Sequence, residues 1–304
     1  MNIAITGGNG FIGSYLSKMI KDIGHEVIFI SRSKKNKGNN YFSYDDLFSF
    51  EIKTNIDCFI HLASPNYDYA RNNSLEDGIV HLTSNILKVL NNYNCTKFIY
   101  FSSAKIYGEP SLIRDYIFNE DSKPSPVSDY GKQKLEAEKK IIAHASNSDL
   151  EYLIYRMPFV YGSGNKSNIN KLLKLIKKSF PFVLFCNSKH LKKSLISIEN
   201  IKLYIKYNIE NLDTIKNNIF NITDKNSICL NELVIKQKKY VNSKSLIINL
   251  PYFILTIIAK IPFLGNYFLK LYGHFEISNI NIKNAYKIDC EETYNYIFHM
   301  NRDE

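Results

Sequence analysis

The stretch Thr6-Gly7-Gly8-Asn9-Gly10-Phe11-Ile12-Gly13 stands between the apolar run Ile3-Ala4-Ile5 and a helical pattern that opens at Phe11. Its spaced glycines carry the physical logic of a dinucleotide site. One glycine permits a tight turn, another lets backbone amides approach a pyrophosphate, and Gly13 lets helix and strand pack closely. The helix N-terminus then faces the phosphate charge. A glycine triplet alone is weak evidence, and its position after a first strand and before a helix gives it meaning.

Outward from that loop the first half alternates strand and helix signals. The pattern predicts strands over Asn2–Thr6, His25–Ile30, Asp57–Leu62, Lys97–Phe101 and Leu150–Tyr155. Between them it predicts helices over Phe11–Ile23, Leu82–Tyr93 and Asp129–Ala145. Helical connections of this length imply right-handed crossovers and a mostly parallel sheet covered on both faces. The expected fold class is α/β, a Rossmann-like doubly wound parallel sheet. After Arg156 come a Gly/Ser/Asn loop at 162–167, a lysine-studded helical pattern over Asn170–Lys178 and shorter elements. Leu195–Ile209 and Asn217–Thr223 read as a helix and a strand that return to the main sheet. The expected organisation is a dinucleotide-binding domain over 1–160, rejoined by 195–223, and a smaller interleaved α/β substrate domain over 161–304.

Composition narrows the partners. With 304 residues, 45% hydrophobic and 22% charged, the chain can bury a sizeable core and is not disordered. Its net charge of +10 admits nucleic acid, an anionic membrane surface or phosphorylated small molecules. No nucleic-acid recognition motif accompanies the charge. Cys58, Cys95, Cys186, Cys229 and Cys290 are scattered and form no CxxC pair, which argues for a reducing compartment and against a disulfide or zinc framework. With no clustered ligands, no metal is expected. The N-terminus reads directly as a strand, without a basic and apolar leader, so a cytoplasmic protein is expected. The apolar run Leu246 to Phe268 is cut by Pro251, Lys260, Pro262 and Gly265, short of the about 20 clean apolar residues a span needs. It reads as buried helices of the second domain, with a peripheral membrane contact as the alternative.

The second strand ends Ile30-Ser31-Arg32-Ser33-Lys34-Lys35, where NAD-selective sites carry a carboxylate for the ribose 2′-hydroxyl. Arg32, with Ser31 beside it, instead offers a guanidinium to a 2′-phosphate, so NADP(H) is expected over NAD(H). Tyr130 and Lys134 lie four apart on one helix face, where an ammonium stabilises a phenolate and lets a tyrosine work as acid or base near neutrality. Ser102 and Ser103 stand upstream at the end of a strand, on the carboxyl edge of the sheet where ligands bind in such folds.

Taken together, Thr-Gly-Gly-Asn-Gly-Phe-Ile-Gly at 6–13, His-Leu-Ala-Ser at 61–64, Ser-Ser-Ala-Lys-Ile-Tyr-Gly at 102–108, Tyr-Gly-Lys-Gln-Lys at 130–134 and Arg-Met-Pro-Phe-Val-Tyr-Gly at 156–162 resemble the extended short-chain dehydrogenase/reductase family, the NAD(P)-dependent sugar-nucleotide epimerases, dehydratases and ketoreductases. The resemblance implies that Ser103 polarises the reacting oxygen and Tyr130 exchanges its proton. Lys134 would lower the tyrosine pKa and hold the nicotinamide ribose. It also implies a cofactor site at Gly7, Gly10, Phe11, Ile12, Gly13, Leu62 and Ala63, with His61 structural.

Departures from the family pattern refine the expected chemistry. Ala104 and Lys105 stand where 4,6-dehydratases carry an Asp-Glu pair, and Phe159 stands where hexose 4-epimerases carry an asparagine. Ile79 occupies a position at which relatives often have asparagine. The Arg-x-Pro-x-Val-Tyr-Gly form, with Leu250-Pro251 through Leu271-Tyr272-Gly273, is similar to the 4-ketoreductases of UDP-4-keto-6-deoxy-N-acetylhexosamines in surface-polysaccharide synthesis. The resemblance implies diphosphate contacts at Asn168 and Lys193 and a homodimer built on the catalytic-tyrosine helix. The expected function is an NADPH-dependent reductase of a nucleotide-linked 4-keto sugar. The alternative is an NAD-dependent UDP-hexose or UDP-N-acetylhexosamine 4-epimerase, and a third reading is a non-catalytic NADP-binding sensor or scaffold.

Overall fold

The computed structural model describes residues 1–32, 40–64, 78–112, 116–163, 168–293 and 297. The chain divides into two compact units, one of 1–108, 123–157 and 201–220, the other of 109–122, 158–200 and 221–304.

The first unit is built on a seven-stranded sheet in the spatial order Asn218–Asn221, Glu151–Met157, Lys97–Ser103, Cys58–His61, Asn2–Thr6, Glu26–Ser31 and Tyr41–Ser43. From Glu151–Met157 to Tyr41–Ser43 each neighbouring pair is parallel. The central strands read Ile-Ala-Ile, Val-Ile-Phe-Ile and Phe-Ile-Tyr-Phe because both of their faces are covered, and Ile3, Ala4, Ile5, Phe59, Ile60, Phe98 and Ile99 are all fully buried. One covering layer comes from the helices Ile79–Val89 and Asp129–Ala145, whose Ile86, Leu87, Ala137 and Ile141 join the core beneath Phe59, Phe98, Tyr100 and Ile154. Strand order reverses beside Asn2–Thr6, which has a later strand on one side and the next strand on the other. That reversal opens a crevice at the strand's carboxyl end.

The helix Asp129–Ala145 starts with Ser128, whose hydroxyl accepts from the Gly131 amide at 3.3 Å. Two of its buried residues, Lys134 and Glu138, are of charged type. Glu138 accepts from Arg156 Nη2 at 2.8 Å and from Nε at 3.2 Å, and it also accepts the Ser102 hydroxyl. Arg156 Nη1 donates to the Tyr107 hydroxyl at 2.9 Å. Both charged groups are nearly sealed from water, and the pair joins the helix to the strands Lys97–Ser103 and Glu151–Met157.

The second unit is assembled from short pairings. Phe159–Tyr161 runs parallel to Leu195–Ser197, Phe182–Phe185 to Ile247–Leu250, and Ile117–Phe118 to Glu276–Ile277. Buried Asp224 ties three of its segments together. It accepts the Tyr161 hydroxyl at 2.6 Å, the Thr293 hydroxyl at 2.9 Å, the Ser197 amide at 2.8 Å and the Asn200 side chain at 2.7 Å. The late apolar run forms the helices Tyr252–Ile258 and Leu264–Tyr272. Only one side of it is buried, contrary to the expectation of a core helix: Leu255 and Tyr272 pack against Phe185, whereas Phe253, Ile257 and Phe263 face solvent. Among the described residues no helix is long and apolar enough to cross a membrane.

Removing one partner of a sealed ion pair leaves an uncompensated buried charge, so Glu138→Ala should lower stability by about 3–5 kcal/mol. Equilibrium urea unfolding checks this, and a loss below about 1 kcal/mol, the value of an exposed pair, would rule out a sealed one.

Candidate active site

The glycine loop is shaped by close approach. Gly7 has φ +72°, and a Cβ there would lie 3.1 Å from the Ala63 amide nitrogen. A Cβ on Gly13 would collide with Gly7 O and come within 2.6 Å of Gly8 Cα. Only glycine satisfies both positions. The Gly10 amide donates to Gly7 O at 2.9 Å, and the helix Phe11–Asp22 starts at Gly10 with no side-chain cap and no acidic residue in its first turn. The amides of Phe11, Ile12 and Gly13 therefore open that helix uncapped, at the crevice, a donor set suited to a pyrophosphate. The structure brings the backbone of Leu62 and Ala63 directly against Gly7.

A directed hydrogen-bond chain fixes that contact. The Ala63 amide donates to Thr6 Oγ1 at 3.2 Å, which pairs with His61 Nδ1 at 2.7 Å. His61 Nε2 pairs with Thr83 Oγ1 at 3.1 Å, and Thr83 donates to Ile79 O at 2.7 Å. Since the Thr83 proton goes to Ile79, Nε2 carries the imidazole proton and Nδ1 accepts from Thr6. Burial, with the nearby Lys134 charge, pushes the His61 pKa down to about 3. It is a neutral, satisfied core histidine.

Ser103, Tyr130 and Lys134 converge at the carboxyl edge of the sheet. Ser103 ends its strand and caps the following turn, its Oγ accepting from the Lys105 amide at 3.3 Å. Gly131 lets the helix start press on that turn, since a Cβ there would lie 2.7 Å from Lys105 O. Burial raises the Tyr130 phenol above its ordinary value, and the hydroxyls of Ser64 and Ser103 oppose the rise. Ser64 approaches the phenol without a well-formed hydrogen bond, leaving its buried Oγ without a partner. Lys134 is buried, donates from Nζ to Phe101 O at 2.7 Å, and lies 4.6 Å from the Tyr100 ring centroid and 5.9 Å from that of Tyr130. Desolvation pulls its pKa down to about 7 against the pull of Glu138. The groups that draw the Tyr130 pKa back are thus hydroxyls, while Lys134 is held by a carbonyl and two rings.

At the other end of the crevice, Ser31 pairs in register with Ser43, and exposed Arg32 follows it. Arg32 and Thr6 both oppose the burial that pushes the Tyr44 phenol up to about 12. Ser64, Tyr44, Tyr100 and Thr83 complete the site's surroundings, and sequence reasoning did not single them out. Ser64 had a signal, as the last residue of His-Leu-Ala-Ser; the other three acquire their neighbours only through packing. In the second unit, Asn168 begins the helix Asn168–Lys177, and its side chain lies outside the described residues. Lys193 donates from Nζ to Lys270 O at 2.6 Å and Leu269 O at 3.3 Å, and burial pulls its pKa down to about 7. Among the described residues no group of three or more His, Cys, Asp or Glu side chains is placed to hold a metal.

A sequence profile described as the NAD dependent epimerase/dehydratase family matches residues 3–222. A relative from Vibrio cholerae named UDP-glucose 4-epimerase is 34% identical over 152 residues, 50% of this chain and 45% of its own length. An Escherichia coli O157:H7 relative, N-acetyl-alpha-D-glucosaminyl-diphospho-ditrans,octacis-undecaprenol 4-epimerase, is 24% identical over 83% of this chain and 76% of its own. The chain spans about half the length of several curated relatives that it matches. The fold is shared with the crystal structure of UDP-N-acetylglucosamine 4-epimerase from Bacillus cereus, at TM-score 0.75 and 18% identity, covering 99% of this chain and 98% of that one. These relatives carry 4-epimerase names, so they favour the alternative over the 4-ketoreductase expected from the sequence.

The buried neutral His61 gives a pH signature. Its folded pKa lies below the unfolded value of about 6.5, so its contribution is complete above that pH and is lost as the pH falls towards 3. Stability should fall between pH 6.5 and 5 with a slope approaching about 1.4 kcal/mol per pH unit, and His61→Gln should flatten it. Urea unfolding across that window is the measurement, and an unchanged slope in the variant would remove His61 as the source.

Proposed function

The chain belongs to the NAD dependent epimerase/dehydratase family, and we propose that it is a 4-epimerase of a UDP-hexose or UDP-N-acetylhexosamine. The observation that carries this reading is Tyr130 beside Ser103 and above buried Lys134, at the carboxyl edge of the sheet, in a chain whose relatives bear 4-epimerase names. The Arg-x-Pro-x-Val-Tyr-Gly segment behind the ketoreductase expectation does not oppose it. Arg156, its first residue, is committed to the ion pair with Glu138.

The uncapped helix start, the Gly7–Ala63 contact and the orphaned Ser64 hydroxyl fit a nicotinamide dinucleotide. Its pyrophosphate would lie on the amides of Phe11, Ile12 and Gly13, with Leu62 and Ala63 beside it. When bound, the dinucleotide supplies reversible hydride exchange with C4 of the sugar. Tyr130 takes the proton of the 4-hydroxyl on oxidation and returns it on reduction, while Ser103 hydrogen-bonds the same oxygen. Lys134 supports the phenolate and the nicotinamide ribose. Asn168 and Lys193 are the proposed diphosphate contacts, and for Lys193 that role requires Nζ to leave the carbonyls of Leu269 and Lys270. The proposed setting is the cytoplasm, where nucleotide sugars are made and free thiols stay reduced.

Incubation with UDP-N-acetylglucosamine and with UDP-glucose, without added reductant, should give the C4 epimer of at least one of them, read by chromatography. Tyr130→Phe should slow turnover by about 10²–10⁴-fold while leaving dinucleotide affinity unchanged. Stoichiometric NADPH oxidation with UDP-4-keto sugars and no interconversion would replace the epimerase with a ketoreductase. Arg32 supports a dinucleotide carrying a 2′-phosphate. NADP+ should therefore bind more tightly than NAD+ in calorimetric titration, and Arg32→Ala should erase the difference at a loss of about 1.5–3 kcal/mol for the charged hydrogen bond. Equal affinities in the unaltered chain would sink the 2′-phosphate assignment.

A further inference from the structure

Several of the most exposed apolar side chains among the described residues lie on one short segment of the second unit. Phe253, Ile257 and Ile261 recur every four residues and are 60%, 57% and 43% exposed. Phe263 follows in the turn, and Leu264 and Tyr267 lie in the first part of the next helix. The opposite side of the segment is occupied, with Leu255, Ile258, Phe268 and Tyr272 packed around Phe185 and Leu191. The segment is therefore apolar on both sides, and among the described residues only the inner one has a partner.

The turn between the two helices is firmly built. The Gly265 amide donates to Ile261 O at 2.8 Å, and a Cβ on Gly265 would lie 2.7 Å from the Ala259 carbonyl carbon. That packing holds Phe263 at φ +61°, a conformation bulky L residues seldom adopt, with the ring 91% exposed. A phenylalanine is thus held out in water by backbone geometry that opposes it.

Charge decides what covers this face. From Leu233 to Phe275 there is no Asp or Glu, while Lys236, Lys238, Lys239, Lys244, Lys260 and Lys270 all fall in that stretch. Lys260 and Lys270 are exposed and flank the apolar stripe. A second copy of a +10 chain would bring like charges together here, whereas an anionic lipid surface accepts both the lysines and the rings. We infer that the helical pair Tyr252–Tyr272 docks this chain on an anionic lipid surface, with Phe263 as the leading side chain. The helices Tyr252–Ile258 and Leu264–Tyr272 are too short to span, so they lie in the interface with lysine heads at the headgroup level.

Flotation of the full chain with vesicles tests the inference. It should float with vesicles of equal parts phosphatidylcholine and phosphatidylglycerol and stay behind with phosphatidylcholine alone. Phe263→Asp should cut partitioning by about tenfold or more, the loss expected for one buried aromatic ring. Lys260→Gln and Lys270→Gln should each cost about fivefold, an effect that added salt mimics. Phe263 makes almost no internal contact, and thermal melting followed by circular dichroism checks that its variant folds; Ile257→Gln provides a second apolar variant. The inference is overturned by failure to float with the anionic vesicles, or by flotation that neither apolar variant reduces. It is equally overturned by a concentration-dependent dimer, seen in sedimentation equilibrium and lost in Phe263→Asp, without vesicle binding.

Discussion

The sealed pair between Glu138 and Arg156 is the constraint on which the geometry of the first unit turns. Tyr130, Lys134 and Glu138 are spaced four apart on one face of the helix Asp129–Ala145. Each meets the strand Lys97–Ser103 at a different point: Tyr130 at Ser103, Lys134 at the Phe101 carbonyl, Glu138 at Ser102. Only Glu138 carries a contact that fixes both rotation and translation, because the guanidinium fork accepts few orientations of its partner. A buried pair adds little net stability over an apolar contact of the same size, so its contribution lies in geometry. It anchors the helix two turns beyond Tyr130, and the phenol inherits its position from that anchor.

The same burial sets the electrostatics. Desolvation lowers the His61 and Lys134 pKa values and raises that of Tyr130, moving all three towards their neutral forms. The result is a dry floor with few fixed charges beneath the site. A substrate oxygen developing negative charge there would meet the Ser103 and Tyr130 hydroxyls first, and a lysine whose proton is held loosely near neutral pH second. Glu138 counters part of the Lys134 desolvation, so the group that anchors the helix also keeps the ammonium from losing its proton altogether.

Local chemistry was legible in the sequence and partner identity was not. The glycine loop could be read because Gly13 answers a demand made by Gly7 and Gly8 within the same loop. Leu62 and Ala63 stood out only through the resemblance of His-Leu-Ala-Ser to a family segment, and their contact with Gly7 comes from the fold. Helical spacing put Tyr130 and Lys134 on one face, yet nothing in that spacing names Phe101 O as the ammonium's acceptor. Arg156 looked like part of a motif, and its partner Glu138 lies on another element. Lys193 has the charge for a diphosphate, but the carbonyl end of the helix Leu264–Tyr272, negative by its dipole, reaches it in the fold.

The run from Leu246 to Phe268 illustrates the same limit from the other direction. Composition distinguishes an apolar helix from a polar one, but a helix apolar all round reads as buried whether its second face meets protein or something else. What separates the cases is the covering layer, which comes from distant parts of the chain. Among the described residues Phe185, Leu191 and their neighbours supply it on one side only. The exposed stripe is also flanked by lysines and free of carboxylates, which a core helix has no reason to be. A second-unit core would need an apolar neighbour on that outer side. An interface with an apolar interior and an anionic rim satisfies both halves of the pattern, and it explains why the turn keeps a phenylalanine where a glycine would relieve the backbone.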